Sequence, residues 1–126
     1  MSSLSKADIL GADEEIIEVD MPEWGGCVHL KQLSGADEEV YQKKSAQRIT
    51  KDSSGKEDVN VTNWRSEFLV MCLCDPSGDL MFDRDSMGAL NGKSAKSIQR
   101  LYDIAMGKCG TLDLEEAEKN SGTTQS

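Results

Sequence analysis

The sequence predicts an α+β fold in which an N-terminal β-hairpin packs on a mainly α-helical domain. Two runs of alternating apolar and polar residues, 14–21 and 27–33, flank a turn-forming stretch at 22–26, which is typical of a hairpin. After residue 34, apolar residues recur at intervals of three and four, which is typical of helices. Because a lone hairpin is marginal in water, it needs a helical layer or another chain to cover its apolar face.

The chain length of 126 residues fits one domain with a modest core. We expect an N-terminal arm with a short helix at 1–13, a single α+β domain at 14–110, and a short helix followed by a disordered polar tail at 111–126. Ser5 is placed to cap the arm helix, which should run to residue 10.

Four helices are predicted after the hairpin, separated by a mobile polar loop at 51–59 and an extended apolar segment at 80–82. In order, they are a surface helix from the capping box Ser34–Asp37 to about Ile49, a core helix from Asn60 or Thr62 to about Cys74, a short helix from Asp83 to Leu90, and a longer one from Ser94 to Gly107. The second is apolar nearly all round, with Val61, Trp64 and Phe68 on one face. We therefore expect it to be the buried centre of the domain.

Charge is unevenly distributed along this acidic chain. There are 14 Lys and Arg against 23 Asp and Glu, a net charge of −9, which disfavours a nucleic acid partner. Residues 1–42 contain two basic and ten acidic side chains, a net charge of −8, whereas residues 43–65 contain six and three, a net charge of +3. Two segments of opposite sign could pair with each other or with a neighbouring copy, although solubility is the favoured interpretation of the acidity.

No membrane span or secretory signal is expected, because no apolar run approaches about 20 residues and the first ten residues lack a long apolar stretch. The expected location is the cytoplasm. In a reducing compartment the four cysteines (Cys27, Cys72, Cys74 and Cys109) are predicted to be buried apolar side chains.

Metal and cofactor sites are not predicted. Cys72 and Cys74 have one residue between them, which is shorter than the usual zinc-ligand spacing. Asp75, Ser77 and Asp79 match the first ligand positions of a calcium loop, but the loop fails where a glycine and a bidentate glutamate are required. A turn before a helix explains these residues without an ion.

Catalysis is not predicted either. The single histidine, His29, lies in a predicted strand with no glycine-framed nucleophile nearby, and no phosphate-binding glycine motif is present. We therefore expect a binding protein and not an enzyme.

A helix-turn-helix is the main rival interpretation of residues 84–107. Four basic side chains would line its second helix: Lys93, Lys96, Arg100 and Lys108. An ordinary αα-hairpin is favoured, because its joining turn is generic and the basic residues equally well balance the acidic first third of the chain.

Partner binding is predicted at the first hairpin. A tryptophan in a glycine-bearing loop either folds back over the core or anchors a partner, and both possibilities remain open for Trp24. The candidate partner-binding residues are the loop and the apolar face of the second strand: Trp24, Gly25, Gly26, Val28 and Leu30.

The order of these features resembles the tail assembly chaperones of long-tailed bacteriophages and related prophages. The resemblance covers roughly residues 5–110 and is carried mainly by two stretches, Pro22-Glu23-Trp24-Gly25-Gly26 and Cys74-Asp75-Pro76-Ser77-Gly78-Asp79. It implies a cytoplasmic chaperone that binds the phage tape measure protein before the tail tube polymerises.

Further partners follow from the same resemblance. They are other copies of the chain, a frameshift-extended form of it, and tail tube subunits, and the protein is expected to be absent from the finished virion. Two alternatives remain at this stage: a virion structural component of the head–tail module, such as a connector or minor tail protein, and a DNA-binding regulator that uses residues 84–107.

Overall fold

The computed structural model describes residues 3–12 and 15–109, and it confirms the α+β class. Within these residues there are five α-helices and five strands. In chain order they are α1 (Lys6–Gly11), β1 (Ile16–Met21), β2 (Gly26–Lys31), α2 (Gly35–Gln47), β3 (Ile49–Lys51), β4 (Glu57–Val59), α3 (Trp64–Cys72), β5 (Leu73–Cys74), α4 (Met87–Asn91) and α5 (Ala95–Cys109). The helix and tail predicted at 111–126 lie outside the described residues.

The predicted N-terminal hairpin is confirmed. Strands β1 and β2 pair antiparallel, with Val19 opposite Val28 and Met21 opposite Gly26. Because side chains alternate between the two faces of a strand, Val19 and Met21 point together into the core and both are buried. A third strand, β5, pairs with β2 and gives the sheet order β1-β2-β5.

The core helix α3 is shorter than predicted at both ends. It stops at Cys72, and Leu73 and Cys74 become strand β5, paired with Leu30 and His29. The helical spacing of apolar residues continues through Leu73, so the spacing alone does not predict where the helix ends. The helix ends at Cys72 because the next residues pair with strand β2. Strand pairing there satisfies backbone groups that the helix leaves open.

The start of α3 was also placed too early by the sequence. The helix begins at Trp64, directly after Asn63, whose φ of 56° is left-handed and interrupts helical geometry. Val61 was assigned to the buried face of this helix, and that assignment is wrong, because 63% of Val61 is exposed.

A second hairpin replaces the polar loop that was predicted at 51–59. Strands β3 and β4 pair antiparallel, with Ile49 opposite Val59 and Lys51 opposite Glu57. Every residue from 49 to 62 is exposed. Strands of three residues are too short to show alternation, which explains why the spacing of apolar residues missed them.

Two tight turns share the same sequence pattern, Asp-x-Ser-Gly, at Asp52 and at Asp75. In the second hairpin, Asp52 Oδ1 accepts hydrogen bonds from the backbone N–H groups of Ser54 and Lys56, at 2.9 and 3.0 Å. Gly55 follows with a φ of 85°. Asp and Ser side chains that bond the backbone two residues ahead are a recognised turn signal, and that signal was present in the sequence.

The core forms where α3 packs against α5, with α2 and α4 also in contact with α3, and buried side chains of the first sheet belong to the same apolar cluster. Four residues predicted at helical spacing in α5 are all buried: Ile98, Leu101, Tyr102 and Ala105. Edge-to-face aromatic contacts join the layers, with ring centroids 5.1 Å apart for Tyr41 and Phe68 and 5.0 Å apart for Trp64 and Tyr102.

The helix caps follow the sequence closely. Ser5 and Asp8 form the capping box of α1, Ser34 Oγ accepts the Asp37 N–H, and Ser94 Oγ accepts the Ser97 N–H. The short helix predicted from Asp83 begins later, at Met87, because Asp83 closes a turn by accepting the Ser86 N–H. Across the two described ranges, 3–12 and 15–109, no helix has the length and apolarity needed to span a membrane.

Arg48 joins the second hairpin to the core helix. Its Nη1 donates to the carbonyl oxygens of Asn60 and Thr62 at 2.8 and 2.7 Å, and its Nη2 contacts Glu67 Oε1 at 3.2 Å. The Glu67 side chain is only 8% exposed. A carboxylate buried this deeply requires its partner, because an unpaired buried charge is strongly destabilising.

Replacing Arg48 by Met should lower the free energy of unfolding by about 3 kcal/mol. The reason is that buried Glu67 would keep a single ionic partner, the exposed side chain of Arg84, at 3.7 Å. The matched control is Lys51→Met, which removes an exposed ion pair with Glu57 and should cost less than about 1 kcal/mol. Urea unfolding followed by circular dichroism measures both. Equal midpoints for the two variants would contradict the assigned role of Arg48.

Candidate partner-binding surfaces

The loop of the first hairpin is a single turn of 3-10 helix at Pro22–Trp24, closed by Gly25. The Gly25 N–H donates to the Pro22 carbonyl at 3.1 Å, and the φ of Gly25 is 84°. A side chain at this left-handed position would be strained. The glycine therefore fixes how the loop turns from β1 into β2.

Glu23 attaches this loop to helix α5. Its Oε1 contacts Arg100 Nη2 at 2.7 Å, and its Oε2 contacts Arg100 Nε at 3.3 Å and Ser97 Oγ at 3.4 Å. The same Nη2 also donates to the Asp20 carbonyl at 3.0 Å. These contacts lower the pKa of Glu23 below its ordinary value, mainly through the Arg100 hydrogen bond. The two-point contact between carboxylate and guanidinium holds the loop in one orientation.

Trp24 combines the two possibilities that the sequence left open. Its ring packs against the core cluster and is only partly buried. The Nζ of Lys93 lies 5.9 Å from the ring centroid, within range of a cation–π contact. The ring therefore folds back over the domain and leaves part of its surface to solvent.

The other predicted partner-binding residues differ in how far they are exposed. Gly25 and Gly26 are exposed, and Val28 packs partly against the core. Leu30 is fully buried, with 0% of its surface exposed. Its side chain belongs to the core and is not accessible to a partner, so the alternation of β2 identified its face correctly but not its role.

The prediction that all four cysteines are buried is wrong for one of them. Cys72, Cys74 and Cys109 are buried as predicted, whereas Cys27 is exposed. Glu18, which lies on the neighbouring strand, raises the pKa of the Cys27 thiol chiefly by hydrogen bonding to it. Within residues 3–12 and 15–109, no group of three or more His, Cys, Asp and Glu side chains is arranged to hold a metal ion.

The Asp75–Asp79 stretch is a turn whose carboxylate is used internally. Asp75 Oδ1 accepts the N–H groups of Ser77 and Asp79 at 2.8 and 3.1 Å, and it also accepts the Ser77 hydroxyl. These bonds lower the pKa of Asp75, with the Ser77 hydroxyl as the main cause. The structure therefore explains these residues by turn chemistry, as it does for Asp52.

This turn carries the chain into an exposed apolar edge, which we define as Leu80 and Met81. Leu80 forms a bridge with Cys74, and the Met81 N–H donates to the Leu73 carbonyl at 3.2 Å, so the two residues extend the sheet beyond β5. Met81 is 61% exposed and Leu80 is also exposed. Apolar side chains at the open edge of a sheet are a typical protein-binding feature. The sequence predicted an extended apolar segment here but did not indicate that Leu80 and Met81 are exposed.

Two further elements place large apolar side chains in solvent. In the second hairpin they are Ile49, Val59 and, just after it, Val61. In the N-terminal arm, defined as residues 3–12, they are Leu4, Ile9 and Leu10. Every residue from 3 to 12 is exposed, so none of these side chains is covered by the other described residues, 15–109.

Two of the four basic side chains that the helix-turn-helix interpretation assigns to DNA binding have contacts within the chain. Arg100 is held by Glu23, and Lys93 lies over Trp24. The buried face of α5 is packed on α3. The contact of Arg100 with Glu23 favours the alternative role, which is to balance the acidic first third of the chain.

Replacing Arg100 by Met should raise the pKa of Glu23 towards its ordinary value, because the main cause of its lowering is removed. The folded-state pKa of Glu23 is depressed, so the contribution of this contact to stability is present above the ordinary carboxyl pKa and is lost as the pH falls through the depressed value. NMR titration of the Glu23 carboxyl measures the shift. Lys96→Met, on the same helix, is the control and should leave the pKa of Glu23 unchanged. An unaltered Glu23 titration in Arg100→Met would refute Arg100 as the main cause of the lowered pKa.

Comparison with protein-family models, curated proteins and solved structures finds no match to this chain. The contacts and exposed surfaces described above, together with the order of sequence features, are therefore the grounds on which a function is assigned.

Proposed function

We propose that this protein is a bacteriophage tail assembly chaperone that binds the tape measure protein and keeps it soluble before the tail tube forms. It works by binding alone and needs no cofactor. The proposal rests on the resemblance in the order of sequence features and on one structural observation, the exposed apolar edge of Leu80 and Met81.

The apolar edge supports the proposal because it suits a long, apolar, helical partner. Two large side chains lie exposed beside β5, and they are held in place by backbone contacts to Cys74 and Leu73. Covering a Leu or Met side chain contributes about 1.5–3 kcal/mol. Such a site binds apolar surface without requiring a particular sequence of polar partners.

The net charge of −9 supports the same role. A complex that carries many negative charges resists self-aggregation, because like charges keep the particles apart. An acidic chaperone therefore keeps an apolar partner in solution while binding it through a few apolar side chains.

In this proposal the protein acts in the cytoplasm of the bacterial host and is absent from the finished virion. Tail tube subunits displace it from the tape measure as the tube grows. A further partner is a frameshift-extended form of the chain, in which the extension is attached beyond residue 110.

Co-expression with the tape measure protein of the same phage tests the proposal. The tape measure should be insoluble alone, and it should become soluble and co-purify with this chain. A tape measure that stays insoluble with the wild-type chain contradicts the proposed function.

Two variants test the surface. Leu80→Asp combined with Met81→Asp should weaken binding by on the order of 100-fold, because two apolar contacts are lost. Ser3→Asp combined with Ser53→Asp adds the same charge at two exposed positions and should solubilise the tape measure as well as the wild type does. If the Leu80 and Met81 variant also solubilises the tape measure as well as the wild type does, the apolar edge is not the binding surface and the structural support for the proposal is lost.

A further inference from the structure

We propose that a basic pocket at the C-terminal end of helix α2 binds a small phosphate monoester. Neither Leu80 nor Met81 lines this pocket, so the inference concerns a different surface from the apolar edge. It goes beyond the proposed function and requires no tape measure.

The pocket is formed by residues that are distant in sequence and brought together by the fold. Helix α2, the segment after β4, helix α3, and α4 with the turn before it all contribute lining residues, and the cavity volume is about 350 Å³. Pockets that bind small molecules typically have volumes of about 300–1,000 Å³. The cavity is therefore large enough for a phosphate group with a small organic part.

The negative charge inside this pocket is already neutralised. Glu67 is the one acidic residue among the described residues that line it, and its Oε1 lies 3.2 Å from Arg48 Nη2. The other terminal nitrogen of Arg48, Nη1, donates to the carbonyl oxygens of Asn60 and Thr62. Arg48 is thus committed to contacts within the chain, and its charge cancels that of Glu67.

Two further cations line the same pocket, Lys44 and Arg84. Lys44 forms no ion pair with any residue in the ranges 3–12 and 15–109, and the ion pair of Arg84 is a long contact of 3.7 Å to Glu67. The Arg84 side chain is 63% exposed, so its guanidinium is accessible from solvent. Three cations against one carboxylate leave two positive charges to be matched by a ligand.

This combination of charge and donors fits a phosphate monoester. Such a group carries a charge of about −1.5 to −2 at pH 7 and has three strong acceptor oxygens. Lys44 provides a compact ammonium group and Arg84 a planar fork of N–H donors. Gln47 and Thr62 also line the pocket, and their side chains can donate further hydrogen bonds. A single carboxylate would leave one of the two positive charges unmatched.

Titration of inorganic phosphate into the isotope-labelled full-length protein tests the site. The ionic strength is held constant so that general screening of charges does not change. Backbone amides of the lining residues should show saturable NMR shifts, with a dissociation constant in the millimolar range. If these amides show no saturable shift up to about 50 mM phosphate, well above such a dissociation constant, the proposal is overturned.

Three single substitutions locate the binding. Lys44→Met and Arg84→Met should each weaken phosphate binding by about tenfold, because a hydrogen bond to a charged group is lost. Lys43→Met is the matched control: it removes the same charge from the same helix, but Lys43 is exposed and does not line the pocket. This variant should bind phosphate as the wild type does. Equal weakening by Lys43→Met would show a general effect of net charge and would contradict the site.

Folding of the variants is read from the same NMR spectra. Most of the Arg84 side chain is exposed, so Arg84→Met should keep the wild-type spectrum. It therefore tests the site even if Lys44→Met is unstable. Wild-type affinity for phosphate in a folded Arg84→Met would overturn the role assigned to this pocket.

Two further probes test the class of ligand. Glycerol 3-phosphate should shift the same amides and compete with inorganic phosphate. Acetate should bind at least about tenfold more weakly, because it carries one negative charge where a phosphate monoester carries about two. Binding of inorganic phosphate but not of glycerol 3-phosphate would contradict the assignment to a monoester, as would acetate binding as tight as that of phosphate.

Discussion

Burial of helix α3 on almost every side is the constraint on which the rest of the structure depends. Phe68, Leu69 and Cys72 are fully or almost fully covered, and this requires the helices that pack around α3, namely α5, α4 and α2. The polar residues of the helix have partners that make burial tolerable: Ser66 Oγ donates to Asn91 Oδ1 at 2.9 Å, and Glu67 is held by Arg48. Because those partners come from α4 and from the start of the second hairpin, packing of α3 also positions both of these elements.

Elements whose apolar pattern repeats over several residues were predictable from the sequence, whereas the shortest strands were not. The alternation of β1 and β2 and the helical spacing of α5 each repeat over several residues, so the first hairpin and α5 were identified correctly. Strands β3, β4 and β5 have three residues or fewer and depend on turn chemistry or on a partner strand. The Asp-x-Ser-Gly turns at Asp52 and Asp75 were the available signal for these strands.

The candidate surfaces were harder to predict because exposure depends on the packing of neighbours. Leu30 and Val61 are both apolar residues next to predicted core positions, yet Leu30 is buried and Val61 is exposed. The left-handed backbone of Asn63 separates Val61 from the core helix. The uneven distribution of charge along the chain could be read from the sequence. Which charges pair within the chain depended on the fold, which brought Glu23 to Arg100 and Glu67 to Arg48.

The account therefore describes a well-packed domain with an N-terminal arm whose described residues, 3–12, are all exposed. Native-state hydrogen exchange of the dilute monomer tests this most directly. Amides of α3 should exchange only by global unfolding, whereas amides of the arm should exchange rapidly. Arm amides as strongly protected in the dilute monomer as those of α3 would show that the arm is already packed on its own domain, and would contradict the account.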